Sequence, residues 1–151
     1  MTIDERSLPS AEIELSVAFH DLDPMGVVWH GHYVRYLELA RCELLASIGY
    51  DYPQMEASGF AWPVIDLSLR YVQPLRYRQR IRVEARLREW EHRLRIDYLL
   101  RDADSGRRLT RARSDQVAVR ISDGAMQLAS PPALVERLLA WQRDSLGTQA
   151  P

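Results

Sequence analysis

The 151 residues fit one ordinary domain, and a hydrophobic content of 46% is that of a globular chain with a packed core. The formal net charge is −1, so no overall field draws the chain toward nucleic acid or an anionic membrane. No apolar run approaches a bilayer span, and the single cysteine, Cys42, excludes an intrachain disulfide.

All 20 basic residues are arginine. Codon bias in a GC-rich genome is the plainer explanation, although arginine also suits bidentate phosphate contacts. The first residues, MTIDERSLPSAEIEL, lack the apolar core of a secretory signal, so a soluble cytoplasmic protein is expected.

Residues 1–10 are polar and contain Pro9, which predicts a loose leader. Ile13, Leu15, Val17 and Phe19 then alternate with Glu12, Glu14, Ser16 and Ala18, the period of a strand with one buried face. HDLDPMG (20–26) reads as a loop. From 31 to about 48 the spacing of Tyr33, Tyr36, Leu37, Ala40, Leu44 and Ile48 predicts an amphipathic helix, stopped by Gly49. Glu38 is placed to pair with Arg35 or Arg41. Residues 50–63 hold two prolines and a glycine and predict an irregular connection.

The remainder reads as mostly β. Strands are expected over 64–72, 79–90, 93–100 and 109–121, with turns at Glu91-His92 and Asp104-Ser105-Gly106. Pro131-Pro132 precede a short helix over 133–143, with Leu134, Leu138 and Trp141 on one side, and 144–151 read as a frayed tail. The sum is a single α+β domain over 1–151, an antiparallel sheet with one long helix against it.

The chemistry concentrates in FHDLDPMGVVWHGHYVRYLELAR (19–41), where strand gives way to helix. The first N–H groups of a helix lack internal partners and can donate to the oxyanion that develops on a thioester carbonyl. A carboxylate on the same loop can act as base or nucleophile. Asp23 precedes Pro24, so its plainer role is that of a turn residue, and His30 could simply pack at the helix start. His20, His32 and Asp21 read as polar loop or cap residues. The His spacing fits neither H-E-x-x-H nor a zinc pattern, so no metal centre is expected. Gly26 and Gly31 allow tight turns, and Cys42 reads as an inert buried thiol.

DLDPMGVVWHGHYVRYLELAR (21–41) resembles the signature D-x-D-x-x-G-V-V-x-H-x-x-Y-x-x-[FY]-x-E-x-A-R of the 4-hydroxybenzoyl-CoA thioesterase and YbgC-like branch of the hot-dog superfamily. A Tyr-x-x-Pro element, Tyr71 and Pro74, extends the likeness. The resemblance implies a hot-dog fold, in which five or six antiparallel strands wrap one long helix and two subunits join into a continuous sheet. It implies hydrolysis of an acyl-CoA or acyl-carrier-protein thioester without metal or redox cofactor, by a homodimer or homotetramer that binds no nucleic acid and inserts in no membrane. The catalytic carboxylate falls on Asp23, the motif histidine, with a direct catalytic or orienting role, on His30, the oxyanion-binding amide at or beside His30, and the motif tyrosine on Tyr33. Substrate contacts are expected from Gly26, Val27, Trp29, Gly31, Tyr33 and Trp62.

Arg76, Arg78, Arg80 and Arg82 alternate and so should share one strand face. That face is either simply solvated or binds CoA phosphates or an acidic carrier surface, with Arg76 and Arg78 as the contacts. Two other activities fit the same chain: a hot-dog dehydratase or hydratase, separable by assaying enoyl formation against thiol release, and a non-catalytic acyl-binding module, which has no need of a loop carboxylate.

Overall fold

The computed structural model describes residues 2–148. Its centre is a five-stranded antiparallel sheet of β1 (Ser10–Ser16), β3 (Val64–Tyr71), β4 (Arg80–Glu89), β5 (Leu94–Asp102) and β6 (Arg108–Gln116), in the order β1-β4-β5-β6-β3. Two-residue β2 (Phe60–Ala61) and β7 (Val119–Arg120) form a separate ribbon. The helices are α1 (Tyr33–Ser47), α2 (Tyr52–Ala57) and α3 (Pro132–Thr148).

The period-two patterns decide which sheet face is dry. Ile81, Val83, Ala85 and Leu87 on β4, and Leu94, Ile96, Tyr98 and Leu100 on β5, are all buried. Their neighbours Arg82, Glu84, Arg86, Arg95, Asp97 and Leu99 point to the opposite face. Helix α1 lies across β1 and β4 and buries Tyr33, Tyr36, Leu37, Ala40, Leu44 and Leu45, the stripe its sequence spacing predicts. Gly49, at φ +70°, turns the chain out of the helix. A long helix held against a curved antiparallel sheet in this way is the hot-dog fold, as expected.

Several elements differ from the sequence reading. The leader is not loose: Ile3 is buried, and the Gln142 side chain on α3 receives the Asp4 N–H (3.0 Å) and donates to the carbonyls of Asp4 (2.9 Å) and Ser7 (3.1 Å). Phe19 leaves the strand pattern and is 72% exposed, because β1 ends at Ser16 and a 3-10 turn follows. Within 50–63 lies α2, started by a capping box between Asp51 and Gln54 with a proline in its first turn. The strand expected over 109–121 stops at Gln116, and the chain then leaves the sheet to pair with β2. Helix α3 continues past 143 to Thr148.

The arginine row also divides. Arg80 and Arg82 share the outer face of β4, ion-paired with Glu14 at 3.1 and 3.6 Å, whereas Arg76 and Arg78 sit in the turn before it, with Arg78 at φ +65°. Glu38 pairs with buried Arg41 (3.6 Å), and Arg35 is engaged elsewhere.

Candidate active site

Between β1 and α1 the chain folds on itself in a narrow turn. The Asp23 N–H donates to the Val27 carbonyl (2.8 Å), and the Gly26 N–H donates back to the Asp23 carbonyl (3.0 Å). Pro24 suits the turn, and Gly26 supplies its φ of +77°. The turn is stitched to the β3–β4 connection by the Val27–Arg76 bridge and by the Val28 N–H on the Leu75 carbonyl (2.9 Å). Gln79 braces that connection, accepting from the Arg76 N–H (3.0 Å) and donating to Asp102 (2.9 Å).

Asp23 is half-buried, and its Oδ1 accepts the Met25 N–H at 2.8 Å. Its other oxygen has no hydrogen-bond partner among the described residues, so the carboxylate is held by one atom and open at the other. Its charge reaches the Tyr33 phenol, which burial pushes above the ordinary tyrosine range, with the Asp23 charge adding to the effect.

The first aspartate of the motif has a different task. Asp21 is 4% exposed; its Oδ2 accepts the Tyr36 hydroxyl (2.6 Å) and its Oδ1 the Arg35 guanidinium. Burial works to raise its carboxyl, but the hydrogen bonds from Tyr36 and Arg35 outweigh it and hold the group below the usual carboxylate range. The Asp21 carbonyl also accepts the Trp29 N–H (2.9 Å). This one residue therefore ties the loop to the first turns of α1 through both side chain and main chain.

A 3-10 turn, His30–His32, leads into α1. The His32 N–H makes the first bond inside it, to the Trp29 carbonyl (2.9 Å), which leaves the N–H groups of His30 and Gly31 without helical acceptors. The Tyr71 hydroxyl donates to the His30 carbonyl at 2.8 Å. Because a trans peptide fixes C=O and N–H on opposite sides of one plane, that bond orients the Gly31 N–H and polarises it. The Trp29 indole, 46% exposed, lies over Gly31 so closely that a Cβ there would meet ring carbons at 2.3 and 2.4 Å. The same indole contacts the rings of His30 (5.2 Å) and His32 (5.1 Å).

Asp23, Gly26, Val27, Trp29, His30 and Gly31 thus belong to one loop–helix junction, with Arg76 beside it through Val27. Tyr33 is 2% exposed and stands edge-on to Tyr71 at 4.8 Å. Arg78 stands over the Tyr77 ring at 5.2 Å, without an acidic partner among the described residues. Trp62 is not brought to this junction. It is buried, donates to the Tyr50 hydroxyl (3.3 Å) and accepts from Gln116 (2.7 Å) at the end of β6 remote from Tyr71.

The Cys42 thiol is pushed up by burial, which keeps it protonated. Sequence reasoning missed the anchoring of Asp21 by Tyr36 and Arg35 and the Tyr71–His30 bond: helical spacing and the Tyr-x-x-Pro element single out Tyr36 and Tyr71, but neither pattern names the partner. No cluster of three or more metal-type ligands occurs among the described residues.

Replacing Asp21 by Asn is expected to cost about 1–3 kcal/mol by denaturant unfolding near neutral pH, the scale of hydrogen bonds to a charged group. Since the folded-state pKa is depressed, the stabilisation is complete above the unfolded value of about 3.9 and is lost as pH falls through the folded one. The gap between wild type and Asp21→Asn should therefore close in unfolding curves taken below about pH 4.

A profile described as the Thioesterase-like superfamily matches residues 17–142. A Synechocystis sp. protein, sll0410, that carries an esterase name is 33% identical over 129 residues, 85% of this chain and 78% of that protein. The Arabidopsis thaliana acyl-acyl carrier protein thioesterase ATL3, chloroplastic, is 36% identical over 76 residues, and the match covers 50% of this chain but only 40% of that protein. Among solved structures, Slr0204, a 1,4-dihydroxy-2-naphthoyl-CoA thioesterase from Synechocystis, superposes with a TM-score of 0.73 at 21% identity, over 86% of this chain and 96% of that one. By the extent of the profile match and of the sll0410 likeness, the chain belongs to the thioesterase-like superfamily of hot-dog proteins.

Proposed function

We propose that this protein hydrolyses acyl thioesters carried on coenzyme A or on a carrier protein, with Asp23 as the reacting carboxylate. The observation that carries the proposal is the pairing, on one loop–helix junction, of a half-buried carboxylate pinned by one oxygen with two helix-start amides that lack acceptors. The relatives' names, one an acyl-carrier-protein thioesterase and one a thioesterase for a CoA ester, agree in chemistry while differing in carrier.

The thioester carbonyl oxygen is received by the N–H groups of His30 and Gly31, which stabilise the charge it gains in the tetrahedral state. The free oxygen of Asp23 attacks the carbonyl carbon, or takes a proton from a water that does so. The C–S bond breaks and the thiolate leaves. A leaving thiol with a pKa near ~8.5 needs little general-acid help, so one carboxylate and two amides suffice. On the first route the mixed anhydride with Asp23 is then opened by water; on the second the acid forms directly. When water opens the anhydride at the Asp23 carboxyl carbon, single turnover in 18O-water releases acid carrying an enzyme oxygen and leaves the label on Asp23, an outcome that the water-activation route cannot give. His30, exposed beside Trp29 and Tyr71, flanks the carbonyl and orients it. Arg76 and Arg78 border the entrance on the side of the β3–β4 turn.

A thiol-release screen over acyl-CoA and acyl-carrier-protein substrates tests the reading. Asp23→Asn should lower kcat by about 10²–10⁴, the contribution of a positioned acid–base group, with an unchanged melting temperature. Wild-type turnover in that variant would remove Asp23 from the reaction. Tyr71→Phe leaves the amides in place but unsupported, so kcat should fall by roughly tenfold, less than for loss of an oxyanion donor itself, with KM nearly unchanged.

The assembly is proposed as a homodimer joined through β3, with a homotetramer as a pair of such dimers. β3 is one of the two edges of the sheet, and Val64, Ile65 and Tyr71 on it and Val72 just beyond are 41–57% exposed. A long apolar edge is an open template for a second copy. Sedimentation should give a dimer or tetramer for the wild type and a shift to monomer for Ile65→Lys. A wild-type monomer would exclude the edge as an interface.

A further inference from the structure

The arginines on the outer face of the sheet fall into two groups by position. At the end remote from Asp23 they are neutralised: Arg86 meets Glu84 (3.4 Å), Arg88 and Arg113 meet Asp97 (3.0 and 2.7 Å), and Arg95 meets Asp115 (2.9 Å). At the end where Asp23 lies, Arg80 and Arg82 on β4 are likewise paired with Glu14 (3.1 and 3.6 Å), but Arg70, Arg101, Arg108 and Arg111 on β3, β5 and β6 have no acidic partner among the described residues. That this is the site end follows from Arg70, whose neighbour Tyr71 is bonded to the His30 carbonyl.

The strand register sharpens the contrast. Arg70 on β3 stands directly opposite Arg111 on β6, and Arg101 on β5 directly opposite Arg108. Like charges facing each other across strands destabilise a sheet. Two such pairs side by side make this part of the face locally positive, with no ion pair to these four arginines among the described residues, although the net charge of the chain is −1. Arg70, Arg108 and Arg111 border a shallow groove of about 470 Å³ that passes over Leu99 and Ala112 and runs on to the ion-paired end at Glu84 and Asp97.

We infer that this face is the docking surface for the acidic helical face of a phosphopantetheine-bearing carrier protein, which brings its acyl thioester to the Asp23 junction. The inference rests on the thioester reading above and names the carrier. Charge complementarity favours this occupant over the nucleotide of coenzyme A. The arginines are spread over three strands, which span about 10 Å at ~4.8 Å per strand, the width of one helix. Same-face positions along a strand recur at roughly 6.8 Å, close to the ~5–6 Å between carboxylates one helical turn apart. The nucleotide of coenzyme A, by contrast, clusters its charge around a single ribose and presents a base that gains from stacking on an aromatic ring. No aromatic side chain points outward from this face among the described residues.

The test is calorimetric titration of the full chain with a bacterial holo-acyl carrier protein, at low and high salt. Wild type is expected to bind, with affinity falling as salt rises. The double variant R70E/R111E should lose at least tenfold in affinity, whereas R137E/R143E, the same charge change on α3, should not. The milder R70Q/R111Q should melt no lower than wild type, since it removes a repulsive pair, and should still bind more weakly.

Absence of binding at low salt, or equal losses for the two charge reversals, would overturn the inference. So would Arg70- and Arg111-dependent sedimentation with anionic phospholipid vesicles in place of carrier binding. Hydrolysis of acyl-CoA without recognition of the carrier would sink the docking surface and leave the hydrolytic reading standing. Arginine-dependent carrier binding without turnover of any thioester would do the reverse.

Discussion

The buried carboxylate of Asp21 is the constraint on which the junction depends. It takes a hydroxyl from Tyr36 and a guanidinium from Arg35, one turn into α1, while its main chain holds Trp29. A short loop of this composition would otherwise sample many conformations. Held at Asp21, at the Leu75 carbonyl and at the Arg76 bridge, it presents Asp23 in one geometry. The ion pair matters here for position more than for energy, since Arg35 remains half-exposed and screened by water.

Helix α1 has two roles that its sequence separates by face. Tyr36, Leu37, Ala40, Leu44 and Leu45 pack on the sheet, which fixes where the helix begins. Its start, free of side-chain caps, leaves two amides uncommitted. A Ser, Thr, Asp or Asn at the cap would satisfy those donors. Trp29 stands there instead, without a cap hydrogen bond. Tyr71 then adds a support from the sheet on the far side of the His30 peptide, so sheet and helix both bear on one pair of donors.

Much of this was legible from residue order. Strict alternation at 81–87 gave the buried face of β4 directly, because a half-buried strand has one dry side. The D-x-D loop was legible as a site because its residue types are costly to bury without purpose. What escaped has common causes. α2 is a single turn and a half, set by a local Asp51–Gln54 exchange, too short for periodicity to reveal and masked by prolines. The ordered leader depends on Gln142, more than a hundred residues away. The end of β6 is set by pairing of β7 with β2, again a tertiary choice. Trp62 looked equally suited to a pocket or to a core, and only the register of β3 with β6 decides its end of the sheet.

The indole of Trp29 rests on the bare α-carbon of Gly31, with ring carbons where a side chain would begin. Positions 29 and 31 consequently form one unit of volume shared between two residues. Any widening at 31 has to be matched by shrinkage or departure of the ring at 29, so what position 31 can hold is set by position 29. A library that randomised position 31 alone would drive its side chains against the Trp29 ring, whereas joint variation would reshape the entrance above the amides while keeping the backbone that carries them.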